Sequence, residues 1–341
     1  MAKRRTKRRK APKITLGVVI LALILVVTYF VLPAEIKNSI FGGVKPSPKP
    51  TPTATIPLNE GELKIHFIDV GQGDSIIIQL PDGKNMMIDG GDKKTENYQQ
   101  INAKAKSLGI TKFDYLMLTH SDADHVGGLD DVLQDFDIID FYVPKITREN
   151  HPTQAYGDFL DLMEKELKEN KGTKQYSYEG MKIQGDGYVI DFYMPNDEVY
   201  KSIPSTKLNA HQINSVSPII VLTFDGRKVM FTGDTNLENE EIFNRIHKND
   251  PNLDVDVLKV AHHGSSEATT SDFLKITKPE YGVIMCGKDN TYGHPHKEST
   301  ERLKTAKTQT YRTDLNGNIV LTLDAKGEGA ASIKFDLQKT A

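Results

Sequence analysis

Six consecutive residues restrict this chain more than any other feature: His120-Ser121-Asp122-Ala123-Asp124-His125. They follow the apolar run YLMLT and precede Val-Gly-Gly and the helical pattern LDDVLQDF, so four metal-capable side chains stand at the mouth between a strand and a helix. A carboxylate ahead of a helix often just accepts the free backbone N–H groups of the first turn. That role uses one aspartate and leaves two histidines and a second aspartate unexplained. On an extended or tightly turning loop, residues two apart point the same way, so His120 and Asp122 are expected to serve one ion while Asp124 and His125 serve another. Imidazole and carboxylate ligands suit Zn²⁺, Mn²⁺ or iron.

Two further apolar strands end alike: RKVMF leads into Thr-Gly-Asp234, and LKVA leads into His262-His263-Gly264. A Gly-Asp pair alone is ordinary turn chemistry. Three strand ends that deliver His and Asp make a stronger pattern, because ligands from separate strands converge when the strands share a sheet edge. Beyond the apolar run YGVIMC, His294 is a candidate to donate a proton to a leaving oxygen or to hold a phosphate, with a plain turn residue as the alternative. His66, His151 and His247 have no converging partners and read as surface or packing residues. Apolar, β-branched runs predict strands over 63–69, 75–80, 85–89, 115–120, 138–143, 188–194, 218–224, 228–232, 255–260 and 282–286. Helical patterns lie between them, such as Phe159, Met163 and Leu167. Hairpins and helices spread through both halves favour an α/β sandwich over a simple doubly wound sheet.

The formal net charge of −3 hides an asymmetry. Residues 1–13 carry eight of the 43 basic side chains and no acidic one, which leaves 35 against 46, or −11, for the remainder. The body therefore lacks the basic footprint of a nonspecific nucleic-acid binder. The lone cysteine, Cys286, excludes a disulfide framework and a cysteine-ligated zinc site. Residues 14–32 carry no charge, and at about 1.5 Å per residue they reach nearly the roughly 30 Å hydrocarbon thickness of a bilayer. The run is too long for a signal peptide and no A-x-A-like site follows it, so a retained transmembrane anchor is predicted. The basic residues before it place residues 1–13 in the cytoplasm and the rest outside the cell. Prolines at 46, 48, 50, 52 and 57 make 33–60 an extended stalk, and globular composition runs from 61 to 337.

HSDADH, TGD and VAHHGS, with HFIDVGQGDS (66–75) and MMIDGGD (86–92), resemble the metallo-β-lactamase superfamily. More narrowly they resemble the metallohydrolase domain of ComEC-type competence proteins. The resemblance spans residues 62–337 and implies a four-layer αβ/βα sandwich holding two divalent metal ions, Zn or Mn, at one edge. Matched position by position, His120, Asp122, Asp124 and His125 take up the H-x-H-x-D-H stretch, with Asp122 in place of its second histidine. Asp234 matches the bridging aspartate, and either His262 or His263 the last metal histidine. The usual intermediate histidine has no clear counterpart: Asn214 and Ser217 occupy its region, and His211 lies nearby in a different register. Asp89 is expected to hydrogen-bond the metal loop from beneath. Asp69 and Asp74, which flank two glycines, are expected to line the site or to form a hairpin turn.

The chemistry that the resemblance implies is hydrolysis, with a phosphodiester as the first expectation and Asp124 counted in the catalytic set. A hydroxide shared by two ions would attack phosphorus, while His294 or Lys288 assists the leaving group or anchors the phosphate. Residues 196–213 are a candidate lid. The substrate expectation is DNA, as for a competence-type nuclease, or a cell-wall polymer, as for a phosphorylcholine or teichoic-acid esterase; a lactonase or β-lactamase ranks third. A non-catalytic surface binding module is the rival outside the enzymes. The cytoplasmic membrane, through 14–32, is the expected partner, and no protein partner is indicated. With Asp122 replacing an imidazole and no intermediate histidine, the His120/Asp122 position is expected to be the weaker one and to favour Mn²⁺ over Zn²⁺.

Overall fold

In the computed structural model, residues 58–338 are described. The chain divides into two units, Met1–Ser47 and Pro48–Ala341, and all the described residues belong to the second. The expected anchor over 14–32 and most of the expected stalk lie outside the described residues, among which no helix is long and apolar enough to cross a membrane.

The first half runs β1 (Glu62–Phe67), β2 (Ile76–Gln79), β3 (Asn85–Ile88), α1 (Thr95–Ser107), β4 (Lys112–Met117), α2 (Ala123–Val126), α3 (Leu129–Asp135), β5 (Asp137–Val143), α4 (Gln154–Asn170) and β6 (Lys174–Tyr176). The second half continues with β7 (Lys182–Gly185), β8 (Tyr188–Phe192), α5 (Asp197–Ser202), α6 (Ala210–Asn214), β9 (Ile220–Phe224), β10 (Arg227–Phe231), α7 (Leu237–His247) and β11 (Val257–Lys259). It closes with α8 (Ser271–Thr277), β12 (Tyr281–Ile284), α9 (Lys297–Thr305), β13 (Gln309–Arg312), α10 (Thr313–Asn316), β14 (Asn318–Asp324) and β15 (Ser332–Gln338).

The strands form two sheets, ordered β15-β14-β1-β2-β3-β4-β5-β6 and β13-β12-β11-β10-β9-β8-β7. Side-chain alternation assigns each strand two duties. Ile76, Ile78, Met86 and Ile88 of the first sheet meet Ile220, Leu222, Val229 and Phe231 of the second in a central apolar layer. The residues between them face the other way: Ile77, Met87 and Leu116 pack under Ile101 of α1 and Phe159 and Met163 of α4. Likewise Val221, Met230 and Leu258 pack under Phe243 of α7, Phe273 of α8 and Leu303 of α9. Helices on both outer faces and two sheets within make the expected αβ/βα sandwich.

Within this sandwich β3, β4, β5 and β6 are parallel, as are β10, β11, β12 and β13. Parallel neighbours end at one edge. The loops after β3, β4, β10, β11 and β12, which carry nearly all the candidate site residues, are thereby gathered.

Candidate metal centre

The metal loop is built from below. Asp89, at φ 56° after β3, accepts from the Thr119 backbone N–H (2.8 Å), the Thr119 hydroxyl (2.6 Å) and His125 Nδ1 (2.8 Å). Because the Thr119 hydroxyl gives its proton to Asp89, it can only accept from His120 Nδ1, 3.0 Å away. Both rings therefore hold a proton on Nδ1 and turn Nε2 toward the site, and Asp89 lies beneath the loop.

The second sheet supplies the rest. Gly233 holds φ +50°, and a Cβ there would stand 3.0 Å from that of Thr119, so glycine lets the loop after β10 close on the metal loop. Asp234 follows, its N–H bonded to the buried Ser217 hydroxyl at 3.2 Å. After β11, His262 (φ 48°) and His263 (φ 54°) both leave the extended conformation, so the strand's alternation does not decide which ring turns inward. The structure turns in His263, 1% exposed, whose Nδ1 donates to the Met285 carbonyl at 2.8 Å. His262 stays at the rim, its Nε2 3.7 Å from Asp234 Oδ2.

Ligand atoms of Asp124, His125, Asp234 and His263 all lie within 4.8 Å of one another. His125 Nε2 and His263 Nε2 are 3.2 Å apart, each is 3.3 or 3.2 Å from Asp234 Oδ2, and Asp124 Oδ2 is 3.3 Å from His263 and 4.0 Å from His125. Bonds of about 2.1 Å to a tetrahedral Zn²⁺ would set ligands about 3.4 Å apart. Four converging lone pairs suit a cation, and Asp234 Oδ1, buried without a hydrogen-bond partner, offers one more. The carboxylates draw positive charge into the site: burial works to lower His125 and His263, yet Asp234 and its neighbours raise both well above the ordinary value, and a bound cation would take the place of the Nε2 protons. Burial would likewise raise Asp124, but His125 and His263 hold its carboxyl below the usual range.

The second group is looser. His120 Nε2 and Asp122 Oδ2 are 3.8 Å apart, and burial together with Asp124 pushes the Asp122 carboxyl up to about 7. Asn214, from the region in which the sequence has no clear counterpart of the intermediate histidine, donates to Asp122 Oδ2 and to the Ala210 carbonyl, each at 3.1 Å, when its amide nitrogen is oriented toward these acceptors. His211 instead pairs with Glu238 at 2.8 Å, outside the ligand cluster.

A recess of about 280 Å³ opens over both groups, walled by His262, His294, Tyr292, Gln72 and, from the expected lid segment, Ala210 and His211. Gln72 clamps the facing loop, with its Oε1 3.2 Å from the Gly287 N–H and its Nε2 3.4 Å from His294 Nδ1. Burial lowers His294 to about 4, so the ring is neutral and its Nε2 is left as the N–H donor. Lys288 does not reach this recess: it lines a wider outer groove of about 940 Å³ with Asp69. Asp74 follows the hairpin alternative instead of the lining one: it lies in the connection between antiparallel β1 and β2, 1% exposed, under the site, and lines neither cavity. There it meets Lys259, a residue that sequence reasoning missed, because a lysine closing an apolar strand reads as solvent-exposed.

Residues 68–288, which include the metal loop, Asp234 and the histidine pair, match the family model of the metallo-β-lactamase superfamily. The chain belongs to that superfamily. Its members are in general metal-dependent hydrolases, and the clustered ligands seen here suit the superfamily's metal chemistry. Among its relatives, ComE operon protein 3 of Bacillus subtilis is 29% identical over 283 residues, covering 76% of this chain and 33% of that protein. Recombination protein 2 of Haemophilus influenzae is 26% identical over 266 residues (77% and 29%). Competence protein ComA of Neisseria gonorrhoeae is 27% identical over 286 residues (82% and 36%). These are competence proteins of the ComEC type, and the chain spans about one third of their length.

Proposed function

We propose that this protein is a membrane-anchored, outward-facing, metal-dependent phosphodiesterase of competence type. The observation that carries the reading is the convergence of Asp124, His125, Asp234 and His263 with one oxygen of Asp234 left over. The tetrad would hold one divalent ion, and Asp234 Oδ1 with His120 and Asp122 a second. Such ions, Zn²⁺ or Mn²⁺, supply an activated water and positive charge against the charge gathering on phosphoryl oxygens. The chain's own residues do the rest. Asp89 and Thr119 fix the tautomers of His125 and His120, and neutral His294 donates a hydrogen bond from its Nε2–H to the leaving oxygen. Lys288 stands where a substrate would extend beyond the scissile bond. The uncharged run 14–32 and its basic flank support the anchor and the orientation.

One observation favours a second substrate. Apart from the proposed metal ligands Asp122 and Asp124, the outer groove is lined by four aspartates (69, 92, 289 and 314) against Lys94 and Lys288. Such a wall repels a long polyanion and suits a phosphodiester flanked by neutral or cationic groups, as in phosphorylcholine or teichoic-acid esters. The competence relatives favour DNA. Incubating the protein with Mn²⁺ or Zn²⁺ and bis-p-nitrophenyl phosphate, DNA, a phosphorylcholine ester or a β-lactam separates the readings. Metal-dependent release of p-nitrophenol is expected. Turnover of the β-lactam alone would replace the phosphodiesterase reading, and metal binding without any turnover would favour the binding module.

A further inference from the structure

Directly beneath the tetrad lies a charge that the hydrolytic scheme leaves unused. Lys259, the last residue of β11, is 0% exposed, and its Nζ stands 2.7 Å from Asp74 Oδ2 and 3.0 Å from the Val260 carbonyl. An ion pair so deeply buried offsets its own desolvation poorly compared with apolar packing, so its place in the core points to a task other than stability.

Asp74 is a junction. Its backbone N–H donates to the Asp124 carbonyl (3.2 Å), its carbonyl accepts from the Gly91 N–H (2.8 Å), and its Oδ1 lies 3.4 Å from His263 Nδ1. The preceding Gly73 has φ +132°, and a Cβ there would fall 2.3 Å from the Asp124 carbonyl oxygen, so this segment is pressed against the metal loop.

We propose that the Lys259–Asp74 pair is a positioning device that orients His263 for the metal. An aspartate paired to an ammonium only accepts, and so does the Met285 carbonyl, 2.8 Å from the same ring nitrogen. The Met285 carbonyl accepts the Nδ1 proton, and the negative charge of Asp74, whose Oδ1 lies 3.4 Å from the same nitrogen and has no hydrogen-bond partner of its own, holds the proton there and leaves Nε2 facing Asp124, His125 and Asp234. The pair also ties the end of β11 to the loop that underlies Asp124, so residues from both sheets keep their spacing. His263 needs such a hold because its backbone, at positive φ, is outside the strand that would otherwise aim it. The inference rests on the reading of the tetrad as a metal site.

Lys259→Met removes the ammonium while keeping a long unbranched side chain. Metal binding to the full chain is measured by calorimetry with Mn²⁺ and Zn²⁺, alongside metal-free melting. Wild-type protein that binds no metal would sink the metal-site reading itself. Given wild-type binding, the variant is expected to melt cooperatively and to bind the tetrad ion about 10–100-fold more weakly. Its kcat with bis-p-nitrophenyl phosphate should recover at saturating metal, with KM little changed. Charge alone predicts the reverse, since removing a cation tightens the binding of another, so unchanged or tighter binding overturns the proposal. Should the variant fail to fold, histidine ¹⁵N spectra of Zn²⁺-loaded wild type decide: Nε2 ligation with a protonated Nδ1 at His263 is expected, and Nδ1 ligation would overturn it.

Discussion

Asp234 stands nearest to the most imidazoles in the site: one of its oxygens lies 3.3 Å from His125, 3.2 Å from His263 and 3.7 Å from His262. Asp234→Ala should leave the fold intact and lower phosphodiester turnover by more than the roughly 10–100-fold that outer partners of a metal site cost. Full activity in the metal-replete variant would refute the dinuclear scheme. The looser His120/Asp122 group carries a second prediction. Unequal metal occupancy is expected, with activity rising on added Mn²⁺, and Asp122→His should shift activation toward Zn²⁺ by restoring a nitrogen ligand. Equal and tight zinc occupancy of both positions in the wild type, by metal analysis, would contradict it. Residues of this kind were legible in the sequence because His and Asp crowd into a few strand ends. The choice between His262 and His263 was not, since two successive positive φ values erase the alternation from which a side chain's direction is read. Lys259 was hidden for a different reason: its burial depends on Asp74, a partner far away in the chain.

At the scale of the element, the central strands were read from their apolar runs, and the edges were not. β6 (KQY) and β7 (KIQG) are short and largely exposed, and polar β13 (QTYR) gives no hydrophobic signal; such strands exist because a neighbour offers unpaired backbone groups. β14 and β15 lie outside the expected strands although NIVLTLD is apolar; β14 pairs with β1 and β15 with β14, which completes the first sheet. On β1, His66 is 3% exposed and its Nε2 meets Gln79 at 3.1 Å; burial lowers it to about 4. It stays neutral in the fold while the unfolded chain takes up a proton below about pH 6.5, so its contribution is complete above that pH and lost as pH falls toward 4. The loss is on the order of 3 kcal/mol. Urea midpoints at pH 7.5 and 5 should therefore converge in His66→Gln relative to wild type. An equal drop in both proteins would show that other groups set the acid sensitivity.

For the whole molecule, the charge bias of residues 1–13 makes orientation testable. Protease added to intact cells should release a soluble fragment by cutting near the prolines at 46–57, and protection of the entire domain would reverse the topology. The order of strands in the first sheet has a practical corollary. β1 runs toward the metal edge, so Glu62 begins the strand about 20 Å from it, at about 3.4 Å per residue. β15 lies antiparallel to β14, and β14 to β1, so Gln338 finishes level with Phe67 and the loops that hold the ligands. The two termini of the domain are thus unequal places to build on. A bead, a fluorophore or a fused protein joined ahead of Glu62 hangs from the back of the enzyme. The same cargo joined after Gln338 sits at the end of the sheet that carries the metal loops, on the outermost strand and four strands across from β3.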